Sequence, residues 1–242
     1  MTSMNPILPR ITRIAPPMLA TLVTLALLGL LHGPAGAQDN SVAPGVNRYY
    51  QNPDYAQWQA AFESEGREIF EQRHAIVAAL DLKPGMVVAD VGAGSGVMTL
   101  LFAEKVGAGG TAIAQDIAPE FLHGIEQRAR QAGLTQVRTQ LGGDRDAHLP
   151  ANSVDLVFTS DTYHHFEYPQ AMLASLHTAL KPGGRLIVID YEKIPGRSSP
   201  WILSHVRADR ATVTAEITAA GFVLKRSRDF LRENYFLEFR KP

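Results

Sequence analysis

From residue 81 onward, short apolar segments alternate with longer segments of helical period. "MVVADVG", "GTAIAQDI", "VRTQLGG", "VDLVFTSD" and "RLIVIDY" read as strands, and "VMTLLFAEKVG", "PEFLHGIEQRARQAG" and "YPQAMLASLHTAL" read as the helices between them. Alternation of this kind gives parallel strands joined by right-handed helical crossovers. "VDLVF" and "RLIVI" are almost continuously apolar, as central strands covered on both faces must be. After Pro195 the chain reads as helices, and "FVLKRSRDF" and "NYFLEFRK" then form two runs suited to an antiparallel pair at a sheet edge. The expectation is an α/β fold, a seven-stranded and mostly parallel sheet with helices on both faces.

The pattern changes before residue 81. In Gln57 to Leu80, apolar residues from Trp58 to Leu80 recur at helical spacing with one break near Gly66, which reads as two helices forming a cap over residues 57–80. The preceding "QDNSVAPGVNRYYQNPDY" has little periodicity and reads as an exposed arm, although Tyr49, Tyr50 and Tyr55 give it the means to lid a site. At the start, Arg10 and Arg13 precede the apolar run Met18 to Leu31, and small residues Ala35 and Ala37 follow, the order of an export signal cleaved after Ala37. A spanning helix needs about 20 apolar residues, so this run suits a cleaved signal better than a stable membrane span. The expected organisation is therefore a signal over 1–37, an arm and cap over 38–80 and a main domain over 81–242. An exported, periplasmic destination follows, with a cytoplasmic or membrane-anchored chain as the alternative.

Composition narrows the chemistry. With 45% hydrophobic and 19% charged residues, the 242-residue chain can bury a sizeable core. The absence of cysteine excludes disulfides, thiolate metal sites and a cysteine nucleophile. Its formal charge is -1, and loss of residues 1–37 removes two arginines and no acid, leaving 21 basic residues against 24 acidic ones, net -3. That balance offers no basic field for nucleic acid, so no nucleic-acid partner is expected and a small molecule is favoured.

The chemistry concentrates in "VVADVGAGSGVMTL". A dinucleotide fingerprint, G-x-G-x-x-G, would need glycine at 97, where Val97 stands, and no Lys-Ser or Lys-Thr pair completes a phosphate-binding loop. Asp90 at the strand end repels a pyrophosphate and suits a ligand with an ammonium group. These residues favour a phosphate-free nucleoside with a cationic end over a nicotinamide dinucleotide.

With Asp90, Gly92, Gly94 and Gly96 in that turn, the chain resembles the class I S-adenosylmethionine-dependent methyltransferases, which have a Rossmann-like fold. "AIAQDIAPEF", "GGDRDAHLPANSVDLVFTSD" and "ALKPGGRLIVID" match later motifs of that family in order. The resemblance implies S-adenosyl-L-methionine as cofactor and a small or medium-sized methyl acceptor. It places Asp90 and the glycines at the methionine end and turn, Asp116 on the ribose hydroxyls with Ile117 beside it, and Asp144 or Asp146 on the adenine, because the usual offset for that acid falls on Arg145 between them. Asp161, at the end of the fourth strand, joins the cofactor side. A nucleoside-binding module of the same fold that no longer transfers a methyl group is the alternative, since this cofactor is made from ATP in the cytosol and an exported protein must obtain it elsewhere.

"DTYHHFEYP" lies beyond the fourth strand, where such a fold presents side chains to the reacting group. His164 or His165 is the candidate base if the acceptor must lose a proton. As adjacent residues they are expected to point apart, with at most one facing the cofactor, and Tyr163 is a third contact candidate. Asp161 and Asp190 resemble the metal-holding positions of the magnesium-dependent catechol-type enzymes, but Tyr191 follows Asp190 where that group has Asn. Two carboxylates without a third protein ligand are too few for a hard cation, so no metal is expected. Arg67, Glu71 and Arg73 in the cap are candidates for substrate contact, although charges on a helix more often form a solvated face, and Trp58 and Phe62 read as core.

Overall fold

In the computed structural model the described residues are Met1, 40–42 and 45–242, and those from 40 onward belong to one compact unit. The expected export segment, Met1 apart, lies outside the described residues. No helix among the described residues is long and apolar enough to cross a membrane.

Seven strands form one sheet: β1 (Val87–Val91), β2 (Thr111–Asp116), β3 (Val137–Leu141), β4 (Val154–Ser160), β5 (Leu180–Tyr191), β6 (Val223–Arg228) and β7 (Asn234–Arg240). Their order is β3-β2-β1-β4-β5-β7-β6. The first five are mutually parallel, and β7 runs antiparallel between β5 and β6, so the expected edge pair is present. Strand β5 starts earlier than its apolar run. The segment "LKPGG" pairs as strand through an irregularity between the Val154 and Leu156 pairings, which absorbs the turn-forming Pro-Gly-Gly.

Both faces of the sheet are covered, for the reason given by its alternation of side chains. Val88, Leu156, Phe158 and Ile187 point to one face and pack with α3 (Arg73–Ala79), α4 (Val97–Val106) and α5 (Pro119–Gln131). Ala89, Val157, Val188 and Leu237 point to the other, against α6 (Pro169–Ala179) and α8 (Arg210–Ala219). Leu156 and Phe158 are fully buried, and each such side chain contributes about 1.5–3 kcal/mol by leaving water.

The cap differs from the two helices expected. It comprises α1 (Tyr55–Phe62), capped by the Asp54 carboxylate on the Gln57 amide, and then α2 (Glu68–Glu71) and α3, which part at Gln72. Gly66, with φ +86°, makes the predicted break after α1. Buried Glu68 fixes α2 in place by accepting the amides of Arg232, Glu233 and Asn234 at 2.6, 2.8 and 3.0 Å, tying the cap to the start of β7.

Candidate active site

Strands β1, β2, β4 and β5 all end on one cleft, which has a volume of about 450 Å³. This is the position at which a doubly wound sheet changes winding direction and leaves a crevice beyond its strand ends. The glycine turn after β1 forms its floor. The amides of Gly92 and Ala93 donate to the Gln115 carbonyl at 2.9 and 3.0 Å, Gly94 donates to Asp116 Oδ2 at 3.0 Å, and Gly96 to the Ala93 carbonyl at 2.8 Å. These donors are spent on protein oxygens, so they form no phosphate cradle of the kind a nucleotide loop builds. Gly92 has φ +74°, and a Cβ there would lie 2.2 Å from Thr162 Cγ2. Only glycine lets the β4 end close against this turn.

Carboxylates line one side of the cleft. Buried Asp90 accepts from Thr99 Oγ1 at 2.6 Å, and burial, aided by the nearby Asp116 charge against the Thr99 bond, pushes its carboxyl up to about 7. Asp116 accepts from the amides of Gly94 and Ala118 at 3.0 Å each, yet burial outweighs both and raises its pKa. Its oxygens still have lone-pair capacity for further donors. Ile117 is exposed beside it, an apolar shelf at the cleft. Asp144 also faces the cleft, whereas Asp146 turns away to the His148 amide at 2.7 Å and Ser175 Oγ at 2.8 Å. The geometry thus separates the two acids that the sequence left open.

The arm and cap form the opposite wall. Tyr50, Trp58, Phe62 and Phe121 make a chain of ring contacts with centroids 5.0 to 6.5 Å apart. Tyr55 donates to the Ser95 carbonyl at 2.8 Å and packs where a Cβ on Gly124 would otherwise sit. Tyr49, in contrast, is exposed at the rim. Trp58 and Phe62 are therefore cleft residues as well as packing residues. Arg67 corrects the reading of a solvated face: it bonds Asp161 Oδ2 at 2.9 Å and Tyr191 Oη at 3.1 Å. Asp161 also accepts from Asn234 Nδ2 at 2.6 Å, but burial dominates and holds its carboxyl up at about 6.

At the far end of the cleft, Tyr163–His165 form a 3-10 turn rather than an extended pair. Both histidines line the cleft, with ring centroids 4.2 Å apart, so the expectation that they point apart fails: Asp190 holds one ring and Asn47 of the arm the other, and both partners lie on the cleft side. Tyr163 is instead buried in the core under α8 and donates to Glu216 Oε2 at 2.8 Å. His164 is buried and shares Nδ1 with Asp190 Oδ1 at 2.7 Å. Burial alone would lower its pKa, but the Asp190 charge outweighs that and raises it, while Asp190 itself is lowered by His164 against its own burial. His165 bonds Asn47 of the arm through Nδ1 at 2.8 Å, and burial with the neighbouring imidazoles lowers it to about 3. His205, on α7 (Pro200–His205), stacks on Trp201 and completes a triangle with the other two rings. Sequence reasoning set Arg67 aside as a solvated face and missed Asn47 and His205 at this site. His205 lies far along the chain from the histidine pair, and only the crossover after β5 returns it to the cleft.

A family model described as a methyltransferase domain matches residues 82–227. The nocamycin O-methyltransferase of Saccharothrix syringae is 32% identical over 126 residues, which cover 52% of this chain and 45% of that protein. The chain thus spans about half the length of this curated relative. Among solved structures, a SAM-dependent methyltransferase from Aquifex aeolicus superposes with TM-score 0.68 at 23% identity, covering 79% of this chain and all of that one. A Bordetella parapertussis protein, described as a possible exported protein, superposes with TM-score 0.59 at 21% identity over 88% of this chain and 76% of its own.

Proposed function

The chain belongs to the class I S-adenosylmethionine-dependent methyltransferases, and from that premise we propose that it methylates a small or medium-sized acceptor at the histidine end of the cleft. The observation that carries this reading is the combination of a glycine turn whose amides are already spent with Asp90, Asp116 and Asp144 along one wall. Such a wall suits a phosphate-free nucleoside carrying positive charge. In this assignment the turn and Asp90 hold the methionine end, Asp116 accepts from the ribose hydroxyls, Ile117 packs on the adenine and Asp144 accepts from its amino group.

S-adenosylmethionine supplies an electrophilic methyl on a sulfonium, whose departure leaves a neutral thioether. The chain's own residues then have little covalent work, and alignment contributes most of the acceleration. Tyr50, Trp58 and Phe62 exclude water from the sulfonium, and Arg67 with Asp161 fixes the cap over the cleft. His164 and His165 face the acceptor. Incubation of the purified chain with S-adenosylmethionine and panels of hydroxyl, amine, thiol and carbon acceptors tests the activity through S-adenosylhomocysteine release. Failure to form S-adenosylhomocysteine with every panel would count against transfer.

We also propose that the chain is exported, on the arginines and apolar run of residues 10–31, and in keeping with the possible export ascribed to its Bordetella neighbour in fold.

A further inference from the structure

His164, His165 and His205 bring one ring nitrogen each to within 4.8 Å of the others. Their surroundings are those of ligands, not of a simple ring stack. His164 has its Nδ1 fixed by the Asp190 carboxylate at 2.7 Å, and Asp190 is itself held by the amides of His164 and Tyr191 at 3.0 and 2.8 Å. His165 has its Nδ1 fixed by Asn47 Oδ1 at 2.8 Å. In both rings Nε2 is the remaining polar atom. That of His164 is buried, on a residue only 3% exposed, and finds no hydrogen-bond partner among the described residues. A buried polar atom left this way is costly to the fold unless a ligand meets it. A carboxylate or amide behind one ring nitrogen, with the other free, is the outer-shell pattern that orients histidine ligands.

We propose that His164, His165 and His205 form a divalent transition-metal site of the zinc class at the acceptor end of the cleft. Three imidazoles and no carboxylate or thiolate select zinc, cobalt or nickel over magnesium and calcium. Three protein ligands leave a fourth position open, and here it faces the cleft, where it takes an acceptor atom with a lone pair. Ligand nitrogens around tetrahedral zinc lie about 3.4 Å apart, as bond lengths near 2.0–2.1 Å require. His205, which is held by its stack on Trp201 and partly exposed, is the ring able to close that gap. Asp161, although near, is engaged by Arg67 and Asn234 and stays outside the ligand set. The sequence expectation of no metal weighed only the carboxylates Asp161 and Asp190; here Asp190 serves a histidine.

This inference rests on the methyltransferase reading for its acceptor role but not for metal binding. The test is titration of the untagged full chain with Zn²⁺ by calorimetry and with Co²⁺ by visible absorption, alongside S-adenosylhomocysteine binding and circular dichroism. One metal per chain is expected, with the intense visible bands of four-coordinate cobalt. His165→Ala and His205→Ala should abolish stoichiometric binding, and Asp190→Asn should weaken it about 10–100-fold. His177→Ala, outside the cleft, should leave it unchanged. A chain that binds S-adenosylhomocysteine but takes up neither metal, or whose metal survives both histidine substitutions in folded variants, overturns the site and leaves the methyltransferase reading standing. Metal uptake without S-adenosylhomocysteine binding overturns that reading and leaves the site.

Discussion

At Asp90, burial and charge compete within a single side chain. Its carboxyl, raised to about 7, binds a proton more tightly in the folded than in the unfolded chain. Its contribution to stability is therefore fully present below the ordinary carboxylate range and is lost as pH rises through about 7. A cationic ligand acts in the opposite direction, because it binds best when Asp90 is ionised. S-adenosylhomocysteine, which keeps the ammonium group, should bind about tenfold more tightly at about pH 8 than at about pH 6. Calorimetry across that range checks this, and Asp90→Asn should flatten the slope; an equally steep slope in the variant would assign the proton elsewhere. Gly92→Ala forces both a left-handed alanine and a 2.2 Å approach to Thr162. It should abolish measurable cofactor binding, read by the same titration, while retention of wild-type affinity would show that the β4 end can move aside.

At the scale of elements, the cap is held by a few contacts whose loss has separable readouts. Glu68→Ala leaves three backbone amides near the start of β7 without their acceptor, a loss expected to cost about 3 kcal/mol. Urea denaturation should show it as a lower midpoint, and an unchanged midpoint would mean that the cap contributes nothing to the cooperative unit. Gly124→Ala presents two opposed effects. The helix gains about 1 kcal/mol from alanine, but the new Cβ meets the Tyr55 ring at 2.4 Å and pushes α1 away from Ser95. The expected result is near-wild-type stability with weakened S-adenosylhomocysteine binding. Equal affinity would remove α1 from the cofactor wall.

At this scale the sheet was largely legible in the chain. "VDLVF" and "RLIVI" became β4 and β5 because continuous apolar runs have no stable place except between two helical layers. Gly66 fell in the break between α1 and α2, as the spacing indicated. Three features were not legible because each depends on tertiary closure. The His164–His165 pair is turned to the cleft by Asp190 and Asn47, both distant in the chain, Arg67 gains its role only when the cap meets β4 and β5, and His205 returns through a helix with no motif of its own. The different settings of Asp144 and Asp146 likewise depend on the Ser175 hydroxyl on α6, which bonds the second acid.

For the whole molecule, export and cofactor supply are linked questions. If the segment ending at Ala37 is removed on export, a C-terminal reporter fusion should appear outside the cytosol with a new N-terminus at Gln38, read by mass spectrometry. Cytosolic retention with residues 1–37 intact would overturn the export proposal. Everything turns on the proposal that this cleft holds a phosphate-free, cationic nucleoside cofactor. Its most direct test is calorimetry of the full chain with S-adenosylmethionine and, as the dinucleotide control, NAD. One S-adenosylmethionine site per chain, lost in Asp116→Ala, and no heat with NAD are the expected results. Binding of NAD with no heat from S-adenosylmethionine would contradict the proposal.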